Sequence, residues 1–437
     1  MAQRGRVAGV VVAVLLAPAV LGAQAERPGV RLAEAVRLAE QVQPSMVQAR
    51  TGVDNAQARL RATTGAFLPN LSISSSGSSS FSQGPSRVDP TGQVITGDAT
   101  TSSVGTTISS SIDLFTGFRR GADRRAAISQ HTAADATLRN ASFQQKLATT
   151  TQFYDALAAE QLLQVREASV RRAEQQLNVA INRLQAGAAT LSDSLRSLVT
   201  LGQARLQLIT AETQLANAEA NLGRLIGREG RVRALADSSL FQQVPPVLDT
   251  AGLRQEALEN APTVQVATAN THAAQALLSV AKAAYWPSLN LGGSNSFNAS
   301  GRNDYQVFQS RSISLSLSWQ VFNRFSREQN IQLQLSSLDV AEANQGEARR
   351  QVMANLTVRL AELQSAALRL EITQTSVVAA TEDLRVQQER YRLGLATIVD
   401  ILTAQEALNQ AEVDGVNARF DYLRAKAQIE ALIGRDL

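Results

Sequence analysis

The chain has 437 residues, a formal net charge of +4, no cysteine and only 4% aromatic residues. That is poor material for one large globular core; the abundance of Ala, Gln, Leu and Ser suits helices packed closely through small side chains. Without cysteine there are no disulfides and no thiol to carry a lipid, and the scattered arginines read as solvated helix faces, which excludes a nucleic-acid footprint.

Arg4 and Arg6 precede an apolar run from Val7 to Val20, and Ala23-Gln24-Ala25 supplies a small-residue cleavage site. Residues 1–25 therefore read as a secretory signal peptide, with the mature chain starting at Glu26. Beyond them no apolar run approaches the roughly 18 residues that a spanning helix needs. Any membrane crossing then falls to strands.

An Ala-rich helical stretch follows, about Leu32 to Ala66, ending ahead of Pro69, because proline favours an extended residue before it. Two Ser-rich alternating segments come next, Leu71 to Phe81 and Val104 to Leu114. A very long helix is predicted from Arg119 to Ala186, then a Gly-containing break and a further helix to Leu225-Ile226-Gly227. The same order then recurs. An offset of 207 carries Phe115 to Phe322, Phe118 to Phe325, Gly187 to Gly394, Thr190 to Thr397 and Asp193 to Asp400. Earlier in the chain the offset is 218, from Pro44 to Pro262 and Pro69 to Pro287, so the first copy has a longer loop between its strands. The second copy predicts helix from Leu253 to Ala284, strands at Leu289 to Phe297 and Ser312 to Val321, a long helix from Arg324 to Leu393, and a last helix. The organisation is thus a first repeat at 26–230, a linker at 231–251 read as an equatorial segment, and a second repeat at 252–437.

The strands rest on period two. Ile313, Leu315, Leu317, Trp319 and Val321 share one face, with Ser312, Ser314, Ser316 and Ser318 on the other; Thr106, Ile108, Ser110, Ile112 and Leu114 oppose Thr107, Ser109, Ser111 and Asp113. Such segments, about 9 to 11 residues long, fit a tilted membrane strand with one face to lipid and one to water. The alternative is a soluble amphipathic hairpin. Four strands cannot close a barrel, and open edges in lipid leave backbone groups unpaired. The sheet must be shared between copies, eight strands from two or twelve from three. Tyr285, Trp286 and Trp319 at the strand ends suit an aromatic girdle.

The long helical stretches, about 68 residues, would reach roughly 100 Å, with apolar residues recurring at three- and four-residue spacings as in Leu356, Leu360, Leu363, Ala367 and Leu370. Between helices a motif occurs twice, Gly187-Ala188-Ala189-Thr190-Leu191-Ser192-Asp193 and Gly394-Leu395-Ala396-Thr397-Ile398-Val399-Asp400. Glycine takes the left-handed conformation that ends one helix, threonine caps the next, and the acid completes a capping box. Asp193 and Asp400 are also candidates to face a pore, where a ring of acids would favour cations and raise its own pKa values.

The segment Arg390-Tyr391-Arg392-Leu393-Gly394-Leu395-Ala396-Thr397-Ile398-Val399-Asp400-Ile401-Leu402 resembles the signature hairpin of the TolC-like outer-membrane efflux proteins. The repeats and the Pro-led strands extend the resemblance over the mature chain. It implies a mainly α fold with a membrane β-barrel: a homotrimer with a twelve-stranded barrel in outer-membrane lipid and a long α-helical tunnel across the periplasm. The hairpins at Gly187, Thr190, Gly394 and Thr397 would form the tip that meets a periplasmic adaptor, itself driven by an inner-membrane pump or ABC exporter. Asp193, Tyr391 and Asp400 match gate positions; Ala396 and Thr403 stand where some members carry an arginine and a second aspartate, leaving Arg390 or Arg392 as substitute latches. No cofactor and no enzymatic chemistry are expected, because the motifs that would carry them are missing from the sequence.

Consistent with that, His131 and His272 lie apart without a paired ligand spacing, and no Gly-rich phosphate loop, G-x-S-x-G elbow or H-E-x-x-H occurs. A trimeric coiled-coil stalk or adhesin with a barrel anchor is the other reading, though it would carry its strands once, at one end of the chain.

Overall fold

The computed structural model describes residues 28–95, 99–236, 250–301 and 306–435. The signal peptide and most of the linker lie outside the described residues.

Two helices set the frame, α3 (Arg119–Gln185) and α7 (Ser326–Arg392), each 67 residues and so roughly 100 Å long. No proline interrupts either, and each begins at a left-handed aromatic residue, Phe118 at φ 66° and Phe325 at φ 61°. Upstream of α3 run β1 (Gly29–Val30), α1 (Leu32–Val42) and α2 (Pro44–Gly65). The predicted single helix from Leu32 to Ala66 is therefore two, because Gln43, at ψ 133°, is held extended by Pro44. The second copy breaks the same way at Ala261, ψ 127°, between helices Thr250–Asn260 and Pro262–Lys282.

The strands are β2 (Asn70–Ser82), a small β3–β4 ribbon (Arg87–Val88 and Val94–Ile95) in the longer loop, and β5 (Ala99–Phe115). Helix α4 (Leu191–Leu225) and the short strand β6 (Arg233–Ala234) follow α3. After α5 (Thr250–Asn260) and α6 (Pro262–Lys282) come β7 (Ser288–Gly301), β8 (Gln306–Ser318), α7 and finally α8 (Ile398–Ile433). One antiparallel sheet results, in the order β2-β5-β7-β8.

Two details of the predicted strands are corrected. The last runs from Gln306 to Ser318 rather than Ser312 to Val321, so Trp319 and Val321 lie beyond it; Trp319 donates its Nε1 hydrogen bond to the carbonyl of Tyr285 at 3.2 Å. In β5 the register shifts between Asp113 and Phe115. The bulge removes Leu114 from the apolar row and puts Phe115 opposite Leu289 instead.

The core forms where the long helices change partners. Along its length α3 packs on α2 and α6 and also on α4, while α7 packs on α6 and α8. Midway, Phe153, Leu157, Leu222, Leu356, Phe420 and Ile429 close a buried cluster with Val30 and Ala234, contributed by the parallel β1–β6 pair. Tyr154 belongs to it, and burial together with Glu430 pushes its hydroxyl up to about 12.

Candidate functional site

At the far end from the sheet the two motifs turn the chain. Gly187 (φ 73°) and Gly394 (φ 77°) occupy the left-handed region, where a Cβ would be strained. Both caps are complete boxes. The Thr190 amide donates to Asp193 Oδ2 at 3.0 Å, and the Asp193 amide to Thr190 Oγ1 at 3.3 Å. In the second copy the Thr397 amide and hydroxyl both donate to Asp400 Oδ2, at 2.7 and 2.8 Å. Those bonds, with the nearby Arg390 charge, hold the Asp400 carboxyl below its ordinary range.

The hairpins meet through a residue that the 207-residue offset carries to Arg390. Arg183, near the end of α3, lays its guanidinium over the Tyr391 ring, 4.1 Å from the centroid, and donates to the carbonyl of Arg392 at 3.0 Å. Higher up, Arg172 of α3 reaches Glu412 (2.6 Å) and Asn409 (2.7 Å) of α8. Tyr391 is 7% exposed, and its hydroxyl is buried without a hydrogen-bond partner. That hydroxyl bonds to neither aspartate in this protomer. Of the substitute latches, Arg392 pairs with Glu389 of its own helix at 2.9 Å, and Arg390 donates to the Leu395 carbonyl at 3.5 Å while its charge lies near Asp400. Ala396 packs against the cluster of Leu384, Tyr391, Ile398 and Ile401. No pairwise signal in the sequence announces Arg183; its contact lies across 208 positions of chain.

The first hairpin presents itself differently. Helix α4 buries Ser194 and Ser197, whose hydroxyls bond back to Leu191 and Asp193 carbonyls, yet exposes Leu191, Leu195, Leu198 and Val199. Between α4 and α8 lies a groove of about 920 Å³, with Leu195, Val199, Val399, Leu402, Thr403 and Glu406 among its walls.

At the opposite end, Phe118 meets Phe115 and Trp286 edge to face at 5.3 and 5.6 Å. Arg327 stacks on Tyr285 at 3.9 Å. The predicted girdle aromatics Tyr285, Trp286 and Trp319 thus share one apolar pocket of about 970 Å³ at the foot of the sheet.

A four-stranded sheet apolar on one face and hydroxyl-lined on the other, standing on helices of this length and ending in paired capped hairpins, defines a channel protomer of the TolC-like type. A profile of the outer membrane efflux protein family matches residues 35–228 and 253–435, and the chain belongs to that family. It is 27% identical over 297 residues to the pyoverdine export outer membrane protein OpmQ of Pseudomonas putida, a match spanning 64% of this chain and 60% of the relative, less than two thirds of the latter's length. It is 24% identical to the cobalt-zinc-cadmium resistance protein CzcC of Cupriavidus metallidurans, over 73% of this chain and 74% of that one. The crystal structure of the Campylobacter jejuni CmeC outer membrane channel shares the fold, with a TM-score of 0.77 at 18% identity over 92% of this chain and 85% of that chain.

Proposed function

We propose that this chain is the outer-membrane duct of a tripartite efflux or type I secretion system, a passive exit channel without chemistry of its own. The observation that carries it is the sheet: β2 and β8 end it with unpaired edges, while one face carries Leu71, Ile73, Ile108, Leu291, Ile313 and Leu315. Lipid does not tolerate such edges, so copies of the chain close the ring. Three copies give twelve strands. The exposed leucines of α4 favour the same reading, since a helix that buries serines and exposes leucines has its partner in another molecule.

The hairpin turns at Gly187, Thr190, Gly394 and Thr397 form the periplasmic tip and meet an adaptor protein, driven by an inner-membrane pump or ABC exporter. Tyr391, Asp193 and Asp400 belong to the closed mouth. Pyoverdine export and cobalt-zinc-cadmium resistance, the roles in the names of two relatives, are chemically unlike, so the pump rather than the duct selects the cargo. The mature chain begins at Glu26, after a cleaved leader. The test is assembly and conductance. Membrane-extracted protein should migrate as a detergent-resistant trimer and insert single channels into planar bilayers; release as a monomer by osmotic shock without detergent would refute the duct.

A further inference from the structure

We propose that the outward face of the sheet carries a docking site for the phosphate of an outer-leaflet glycolipid, centred on Arg311. The site goes beyond the duct reading and rests on it, because the apolar row must face lipid.

Among the described residues the four sheet strands contain two ionisable side chains, Asp113 and Arg311. The ladder puts them on opposite faces. Asp113 stands opposite Asn290 in the row of serines and threonines, and accepts the Asn290 amide at 2.8 Å. Arg311 stands opposite Asn295, in the row that carries Leu289, Leu291, Ile313, Leu315 and Leu317. A cation on that row faces lipid, and its cost falls steeply from the bilayer midplane to the interface.

Its height fits the interface. Leu317 to Arg311 is about 20 Å along the strand at ~3.4 Å per residue, or roughly 16 Å across the membrane at a tilt of ~40°. The foot of the row is marked by Phe115 beside Leu289, and the Trp286 and Trp319 pocket lies below. Together these fill most of an apolar band that is about 25 Å tall in such barrels. One step above Arg311, Phe297 lies opposite Gln309, as an upper girdle aromatic would.

The surroundings suit an anion. Asn295 and Gln309 join through their amides at 2.8 Å. With its amide turned, Gln309 gives up that bond and accepts instead from Nε and Nη2 of Arg311 and from Nδ2 of Asn295, each at 3.2 Å. No carboxylate pairs with Arg311 among the described residues. With Nε and one Nη2 hydrogen given to Gln309, the guanidinium still presents its end-on Nη1 and Nη2 donors, a fork that a phosphate monoester takes in two-point contact. The outer leaflet supplies such a group on phosphorylated glycolipid headgroups.

The test uses the full chain assembled in detergent, with native mass spectrometry counting bound lipid A and its dephosphorylated counterpart. The wild-type oligomer is expected to retain the phosphorylated form about tenfold better than Arg311→Gln, a difference of about 1.4 kcal/mol. Arg311→Lys falls between, because a point charge replaces the fork. Equal retention of the two lipids by wild type, or by wild type and Arg311→Gln, overturns the site while leaving the barrel standing. Should Arg311→Gln not assemble, Gln309→Ala replaces it, and a retained phosphate preference no weaker than wild type overturns the site. A wild-type chain that forms no detergent-resistant oligomer overturns the barrel, and the site with it.

Discussion

The two tip hairpins share one motif and pack in opposite ways. The second closes its own core: Leu384, Tyr391, Ile398, Ile401, Ala404 and Leu408 are buried together where α7 meets α8. The first closes its core higher up, at Val170, Ala173, Leu201 and Ala204, and leaves the leucines nearest the turn uncovered. Identical turn chemistry therefore fixes the bend of the chain and says nothing about what each hairpin rests on. The second is built to stand within the protomer, the first to be completed from outside it.

Substitutions that delete tip side chains sharpen that contrast most. Ile401 is 1% exposed and Leu195 is 53% exposed. Ile401→Ala should destabilise the second hairpin by about 2–5 kcal/mol, read as faster hydrogen exchange in 384–408. Leu195→Ala should leave exchange in its own hairpin unchanged and instead lower the temperature at which the oligomer dissociates. Equal effects on exchange would erase the distinction.

Next in size is the backbone. Gly394→Ala forces a Cβ into φ 77° with open space around it, so the cost is purely conformational, about 1–2 kcal/mol, and Gly187→Ala should match it because both turns have the same geometry. A clear inequality in thermal unfolding would mean that one turn is braced from outside. Smaller still is the bridge between hairpins. Arg183→Ala should cost about 0.5–1 kcal/mol and raise closed-state leakage in single-channel recordings, whereas Tyr391→Phe, which keeps the ring and removes an unpartnered hydroxyl, should leave leakage unchanged. Leakage from Tyr391→Phe equal to that of Arg183→Ala would assign the latch to the hydroxyl.

The subtlest test is the sign of a titration. Because its capping bonds lower the Asp400 pKa from the ordinary 3.8, the carboxylate stabilises the second tip above that value, and the contribution fades as the pH falls through the lowered one. Tip exchange should therefore stay flat from neutral pH down to about 4 and rise only below it, with the dependence absent in Asp400→Asn. A rise that begins above 4 would signal the mutually repelling acids of a narrow mouth.

Much of this was legible in the chain. Alternation in serine-rich segments marked all four strands, and Gly-x-x-Thr-x-x-Asp described both capped turns, because these signals are local. The halved helices were missed although Pro44 and Pro262 were in view, since the extended residue before each proline breaks a pattern whose apolar spacing continues across it. The bulge at Leu114 escaped because a one-residue register shift preserves composition while changing which side chain joins the row. Arg183 escaped for a different reason: its partner is chosen by how two hairpins lie together, a fact written only in three dimensions.

The equal length of α3 and α7, 67 residues each, makes the stalk a gauge. A helix lengthened by one residue advances about 1.5 Å and turns about 100°, so an insertion confined to one copy would skew its turn away from its twin and rotate every contact below. Only matched changes, of whole turns and in both descending and returning helices, keep the two ends level. Reach across the compartment is thus constrained to grow or shrink in steps, with both halves of the gene changing together.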